Sequence, residues 1–494
     1  MKTILKKYWF NFLIISIMLL GVFLRLKGLL INPSMWHDEC GLAFNILNKN
    51  YHDFFGVLRF HQTAPPFFMI AAKFMVNLFN VSNSIGTCDL ILRLIPFSCS
   101  VLSIWVFYLI CKDIFKAKLS IAFATFLFAT NNELINYSYE FKPYAVDVFL
   151  ILLLILFFIK LDLERISYKK LTLSAIGLSL AVWFSFVSVF AIGAGFINQI
   201  IKRKNFKKLF FLCLPITISG LLYLRFYLLN TYLGHSTVMI DFWKDEFVLS
   251  NFSNFLPLLV ENLRYFFFPA TSILFVLMLV IYGIVVLYKE KEYDATNIIL
   301  LTFLLLVISS AFHIYPFSKR LILFLIPLFL LLMVKPLDKI SFSKKTKSLT
   351  KSFIISITFL CILIPQLLFA IDKINFKSIN KGEFPKEMMA FMVQNIKPTD
   401  TIFINNASNW EFLYYSSFYN IKNKLINEKL SNTPDDKYLA LLNSLEKGNY
   451  WFFLPYDYSH LEIINFVKNW AKQNTKIIYI NEATQSTLIY LEIK

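Results

Sequence analysis

Long apolar runs, broken by short basic loops, recur along the chain as far as Ile371, and this leaves few folds open to it. The first run, Tyr8 to Ile31, is long enough to cross a bilayer as a helix. Many more such segments come after it, and they read as further spans. The chain is 57% apolar and 16% charged, with 55 Phe. That is more apolar than a soluble protein of this length. The fold class expected is a polytopic α-helical membrane protein. No small-residue cleavage site follows the first run and many similar runs come after it, so it reads as a retained span and not as a signal peptide.

The formal charge of +18 raises nucleic acid as a partner, but its distribution argues against one. From Asp372 onward 14 Lys/Arg face 13 Asp/Glu, so the excess lies before that point, in loops between apolar runs. That is the positive-inside pattern, with some attraction to anionic membrane lipid. Lys2, Lys6 and Lys7 place the N-terminus in the cytoplasm, and the residues from Asn32 emerge on the outer face. The expected spans are Tyr8–Ile31, Leu90–Cys111, Leu119–Ile135 and Ala145–Ile159, then two short ones within Leu171–Ile201 that turn near Trp183 to Phe186. Phe210–Leu229, Tyr265–Tyr288, Asn297–Phe312, Leu321–Val334 and Phe353–Ala370 complete the set, about eleven in all. The run opened by Pro65-Pro66 is short and carries Lys73, so it reads as membrane-associated without spanning. The C-terminus then lies outside, in the cell (inner or plasma) membrane. Cys99, Cys111, Cys213 and Cys361 read as packing residues; Cys40 and Cys88 share one outer loop, more simply as free thiols than as a bridge.

Residues 1–371 are thus expected to form a membrane-embedded domain and 372–494 a small extracytoplasmic α/β domain. In the second, helices are expected at Phe384–Ile396, Trp410–Phe418 and His460–Lys472. Strands are expected at Thr401–Ile404, Tyr450–Leu454, Ile477–Ile480 and Ser486–Leu491. It has no Gly-rich phosphate loop and no nucleophile elbow, and reads as a lid or acceptor-docking module.

The candidates for chemistry sit on the outer face. Trp36-His37-Asp38-Glu39 puts adjacent carboxylates at the membrane surface, where Asp38 or Glu39 can act as a general base or simply stabilise the start of the next helix. His61 lies in the same loop, and Glu140, Lys142 and Tyr144 in the next one. Tyr315, Lys319 and Arg320 precede a late apolar run, and Arg93 lies near the start of the second span. Each cation also has a plain reading, as a snorkelling anchor or local ion pair. One face that gathers carboxylates and cations is nevertheless what transfer from a lipid phosphate requires: a base for the acceptor and cations for the leaving phosphate.

The ordered set WHDE, HQTAPPFF, DLILRLIPFS, YSYEFKPYAVDVF and SKRLILFLIP resembles membrane glycosyltransferases of the GT-C class. The likeness is to bacterial relatives of protein O-mannosyltransferases and of the aminoarabinose transferases that modify lipid A. The resemblance implies an inverting hexosyl or pentosyl transferase that uses a polyprenyl-phosphate sugar donor. Asp38 would match the catalytic acidic residue, with Glu39 its neighbour. Lys142 stands where many relatives have Arg, and Arg320 matches the Arg before the late span. Lys142, Arg320, Lys319 and Arg93 would then hold the donor phosphate, and His61, Glu140, Tyr144 and Tyr315 would contact substrate. The Lys in place of Arg keeps the charge and loses the bidentate fork. No cofactor is required and no metal-ligand spacing is present, although a divalent cation is compatible with the wider class. The acceptor is a lipid, a glycan or a protein. From other classes, a lipid-linked glycan transporter and a non-catalytic scaffold remain as alternatives; the first would need polar groups within its spans.

Overall fold

The computed structural model describes the chain apart from residues 1, 82, 204, 229–241, 249–254, 271, 343–355, 376–383, 406–408, 428–434, 455–460 and 484–485. Asn230, Asp241 and the expected start of the last span at Phe353 lie outside the described residues. The described residues of the membrane half form helices joined by turns and loops. Its first elements are α1 (Lys2–Ile31), α2 (His37–Asn48), α3 (Pro66–Leu78), α4 (Ile85–Ile114) and α5 (Lys118–Thr130). They continue as α6 (Asn132–Asn136), α7 (Tyr144–Lys160), α8 (Tyr168–Phe184), α9 (Ser188–Ile201) and α10 (Phe206–Tyr223). Helices Phe255–Phe266, Ile273–Lys289, Tyr293–Ala311, Leu325–Phe342 and Ile364–Asn375 follow.

Among the described residues, five stretches are long and apolar enough to cross a membrane: Tyr8–Ile31, Ile85–Ile114, Phe206–Leu228, Tyr293–Ala311 and Ser356–Asn375. The apolar helices α3, α5, α9 and Ile273–Lys289 are shorter. The expected span Leu119–Ile135 is interrupted at Asn131. The Asn131 side chain accepts from the Leu134 amide at 3.1 Å, capping the separate short helix α6, and donates to the Phe266 carbonyl at 2.7 Å. The turn expected near Trp183 to Phe186 falls between α8 and α9, and the Ser188 hydroxyl closes it on the Ser185 carbonyl at 2.8 Å.

Close helix contact sets the bundle. A Cβ on Gly283 would lie 1.9 Å from the Leu332 carbonyl oxygen. Only glycine therefore lets Ile273–Lys289 approach Leu325–Phe342 this closely. At the end of the bundle carrying the α4–α5 turn, the Asp338 carboxylate accepts from the Lys116 and Ala117 amides at 3.0 and 2.7 Å, at the start of α5. Buried Lys335 donates to the Ile114 carbonyl at 2.7 Å and pairs with Glu290 at 3.2 Å.

The C-terminal region carries a five-stranded mixed sheet ordered β2-β1-β3-β5-β4, with β1 Thr401–Ile404, β2 Lys424–Ile426, β3 Gly448–Leu454, β4 Lys476–Ala483 and β5 Ser486–Ile493. β1 runs parallel to β2 and β3, and β5 antiparallel to β3 and β4. Strand alternation divides its two faces. Phe403, Phe452, Ile489 and Leu491 pack under helices Asp436–Asn443 and Leu461–Asn474. Ile402, Ile404, Trp451, Phe453 and Leu488 join one core with Met35, Cys40, Leu42, Phe68 and Leu92 of the first outer loop and its helices. The sheet is therefore packed on the membrane half through a shared core. β2 and helix Asp436–Asn443 were not anticipated; β2 is a three-residue edge strand without an apolar pattern. Cys40 and Cys88 are both buried and not bridged to each other, and the Cys40 thiol donates to the Met35 carbonyl at 3.3 Å.

Candidate active site

The WHDE stretch is the entry to α2. Trp36 is its N-cap, in extended backbone, and Asp38 and Glu39 occupy the first turn, where carboxylates are favoured by the helix dipole. Successive residues of that turn point in different directions, and each reaches a different neighbour.

Glu39 points inward and is fully buried with Arg93 of α4. Arg93 Nη2 lies 3.2 and 3.1 Å from the two Glu39 oxygens and its Nε 3.2 Å from Oε1, a bidentate fork. Nη1 of Arg93 donates to Asn32 Oδ1 and to the Pro33 carbonyl at 2.9 and 2.8 Å. Glu39 Oε1 also accepts from the Phe141 amide at 2.6 Å, and Oε2 from the Trp36 amide at 3.4 Å. Glu39 thus joins α2, α4 and the loop ahead of α7, and Arg93 donates to Glu39, Asn32 and Pro33 through Nε and both terminal nitrogens.

Asp38 points to a pair of cations. Its Oδ2 is 2.9 Å from Arg320 Nη2 and 3.8 Å from Lys142 Nζ. Gln62 lies beside them, donating weakly to Asp38 Oδ1 at 3.5 Å and accepting from Lys142 Nζ at 2.9 Å. The face of Trp36 holds the cations from one side. Arg320 is 5.1 Å and Lys142 5.8 Å from its ring centre, and Arg320 also lies 5.9 Å from that of Trp243. The Trp36 indole N–H donates to Glu140 Oε2 at 3.3 Å. Burial raises the Asp38 carboxyl, but Lys142, Arg320, His37 and Gln62 outweigh it and hold it down at about 2. Burial pushes the Lys142 ammonium down, and Arg320 adds to that against the pull of Asp38, Glu39 and Glu140. For Arg320, burial is outweighed by Tyr144, Asp38 and Tyr137, and its guanidinium is raised above its ordinary value.

Of the remaining sequence candidates, Tyr315 and Tyr144 lie beside this cluster, whereas Lys319 and His61 do not join it. Tyr315 donates its hydroxyl to the Leu321 carbonyl at 2.9 Å, tying down the turn that carries Arg320. Tyr144 is buried, edge-on to Tyr137, within electrostatic reach of Arg320, Asp38 and Glu140. Lys319 turns away to Glu261 at 2.7 Å, in a half-exposed pair. His61 is exposed and follows Phe60. Both have left-handed backbone, with φ 51 for His61 and φ 62 for Phe60. Such a run is uncommon for residues with side chains.

His37 points to the C-terminal domain. Its Nδ1 is 2.9 Å from Glu411 Oε1, and its ring stacks on Trp410 at 3.8 Å. Nearby, the Met35 amide donates to the Tyr415 hydroxyl at 2.8 Å and Tyr414 donates to Asp89 at 2.8 Å; Ser34 bonds Glu387. A Cβ on Gly41 would meet the Trp410 ring at 2.9 Å. Glycine there lets helix Asn409–Ser416 lie on α2. Sequence reading placed Trp36 in the central stretch without giving its ring a role, and did not single out Gln62 or Glu411. Gln62, next to His61, was within reach of a closer reading; Glu411, at the far end of the chain in a segment without motifs, was not.

No family model and no curated protein matches the chain. Solved structures do. The oligosaccharyltransferase of Archaeoglobus fulgidus, solved with Zn and sulfate, is 14% identical and superposes with a TM-score of 0.53 over 88% of this chain and 68% of its own. ArnT from Cupriavidus metallidurans bound to undecaprenyl phosphate is 11% identical, with a TM-score of 0.52 over 98% of each chain. Its apo form gives 0.50 over 96% and 97%. The chain has the GT-C glycosyltransferase fold. The helical half and the C-terminal sheet are both included in the ArnT superposition, by its coverage. The donor set fits a metal poorly: among the described residues no three His, Cys, Asp or Glu side chains form a metal-binding group. Asp38 and Glu39 each already face a cation.

Proposed function

We propose that this protein transfers a sugar from a polyprenyl-phosphate donor to an acceptor hydroxyl or amine, with inversion, at the extracytoplasmic face of the cell membrane. The observation that carries the reading is the seat made by Lys142 and Arg320 around Asp38 at the start of α2, within a GT-C fold. A neighbour of that fold was solved with undecaprenyl phosphate bound. The topology that goes with it has about eleven spans, a cytoplasmic N-terminus and the sheet domain, residues 372–494, outside.

In this reading Asp38 accepts the acceptor's proton while the acceptor oxygen or nitrogen attacks the anomeric carbon. The bond from that carbon to the phosphate oxygen breaks, and its electron pair leaves with the polyprenyl phosphate. Lys142 and Arg320 stabilise the charge that gathers on the phosphate, so no general acid is required. Trp36, Gln62 and Tyr315 hold the cations and their turn in place, Glu140 orients Trp36, and Glu39 with Arg93 positions the helix that presents Asp38. Tyr144 and His61 are assigned to the walls of the site. No step is routed through a metal.

The test is sugar transfer in membranes supplied with labelled polyprenyl-phosphate sugars. Asp38→Asn is expected to lose ~10²–10⁴-fold in rate, and Arg320→Met ~10²–10³-fold. An Asp38→Asn protein as active as wild type at matched abundance rules out the base; no label transfer from any donor rules out the activity.

A further inference from the structure

We infer that Asp38 stands in for the donor's phosphodiester when the site is empty, and that the donor releases Asp38 for its work as base by taking over Lys142 and Arg320. The inference rests on the reading above and adds a coupling between donor binding and base activation.

Both cations converge on one oxygen of Asp38, Oδ2. Asp38 forms an ion pair with each of them, and Glu140 lies within electrostatic reach of both. A carboxylate and a sugar phosphodiester each carry one negative charge and present oxygens to a fork of donors, so one replaces the other with the charge balance kept. The cations themselves are anchored independently of Asp38. Arg320 lies against Trp36 and Trp243, and Lys142 against Trp36 and Gln62 Oε1. They are therefore fixed as a seat whether or not the carboxylate fills it. Asp38 is on the first turn of α2 and, among the described residues, its other oxygen has only the long Gln62 contact, so the side chain has few ties besides the cations.

The exchange also resolves a conflict in the resting site. Held by two cations, Asp38 is too weak a base for a hydroxyl or ammonium proton near neutrality. Once a phosphodiester has those cations, Asp38 loses its main stabilising charges and gains a like charge beside it, and both changes strengthen it as a base. Donor must then bind before the acceptor is activated. Transfer converts the phosphodiester monoanion into a phosphate monoester that carries up to one further negative charge, so the lipid product grips the seat more tightly than the donor does.

The experiment measures binding of undecaprenyl phosphate to the full-length chain in nanodiscs of neutral phosphatidylcholine, for wild type, Asp38→Asn, Lys142→Met and Arg320→Met. Removing the competing carboxylate is expected to tighten binding about ten-fold or more, within the usual range of coupling between sites. The cation variants are expected to bind at least about ten-fold more weakly. Because Asp38→Asn leaves two cations unpaired, its thermal unfolding is followed with and without the lipid; the lipid is expected to raise its melting point more than that of wild type. Asp38→Asn binding equal to or weaker than wild type, while the cation variants lose affinity, overturns the exchange and leaves the donor reading intact. Binding that is the same in all four proteins removes the phosphate seat itself, and the exchange with it.

Discussion

The buried Glu39–Arg93 pair allows a quantitative forecast. Glu39→Ala leaves the Arg93 guanidinium in a fully buried position with Asn32 and Pro33 as its remaining acceptors. Breaking a buried ion pair by removing one partner costs about 3–5 kcal/mol. The same change strips the Phe141 and Trp36 amides of their acceptor. The buried Phe141 amide, left without a partner, adds about 1–3 kcal/mol; the part-buried Trp36 amide can turn to water. Arg93→Met leaves those two amides bonded, so it is the milder single change. The double variant removes both charges and is expected to be less damaging than the sum of the singles by about 3 kcal/mol, since an apolar replacement of a buried pair is often nearly neutral. Denaturant unfolding of the detergent-solubilised chain, read by tryptophan fluorescence, measures the cycle. Strict additivity, or single variants that each lose less than about 1 kcal/mol, would refute a coupling role for the pair.

Three further outcomes follow from the site. The Asp38 carboxyl, ordinarily near 3.8, is depressed to about 2. Its ionisation contributes about 2 kcal/mol of stability that is fully present above roughly pH 4 and fades as pH falls towards about 2. The stability gap between wild type and Asp38→Asn in an acid titration should shrink over that window, and a gap independent of pH contradicts it. Because burial lowers the Lys142 ammonium, its charge is lost on the alkaline side earlier than that of an ordinary lysine; Lys142→Arg should move the alkaline fall in transfer rate to higher pH, and an unmoved fall contradicts it. Gly41→Val should push Trp410 off α2, raising protease sensitivity of the C-terminal domain and lowering transfer, with unchanged proteolysis as the contrary result.

Much of this was legible in the residues. Apolar runs and basic loops marked where most of the long helices lie, since length and hydropathy decide them, but not all their ends: Tyr265–Tyr288 is Ile273–Lys289, Leu321–Val334 is Leu325–Phe342, and helix Phe255–Phe266 falls between two expected spans. Asp38, Lys142 and Arg320 were named from charge on one face, and the fold brings those three side chains together. What sequence could not tell was the division of labour between adjacent carboxylates. Asp38 and Glu39 look alike in a string; a rotation of about 100° per helical residue separates them. One is sent to the cations and the other into the core. Arg93 and Lys319 looked like equivalent cations for the same reason, until Glu39 and Glu261 were seen to hold them. The break at Asn131 was invisible to hydropathy because a single capping amide decides it.

His37 and Glu411 meet across 374 residues of the chain, and Met35 and Tyr415 across 380. During synthesis the loop with the candidate base is made early, while the residues that brace it are made near the end. In the proposed topology, that loop is outside the membrane long before its support arrives. A chain cut short between Arg320 and the C-terminal sheet therefore holds the base and both cations but lacks the partners that brace His37, Met35 and Asp89. The enzyme proposed here would gain full competence only when its C-terminal sheet domain has folded on the outer face, so a premature release from the ribosome leaves an inert membrane bundle in place of an unregulated transferase.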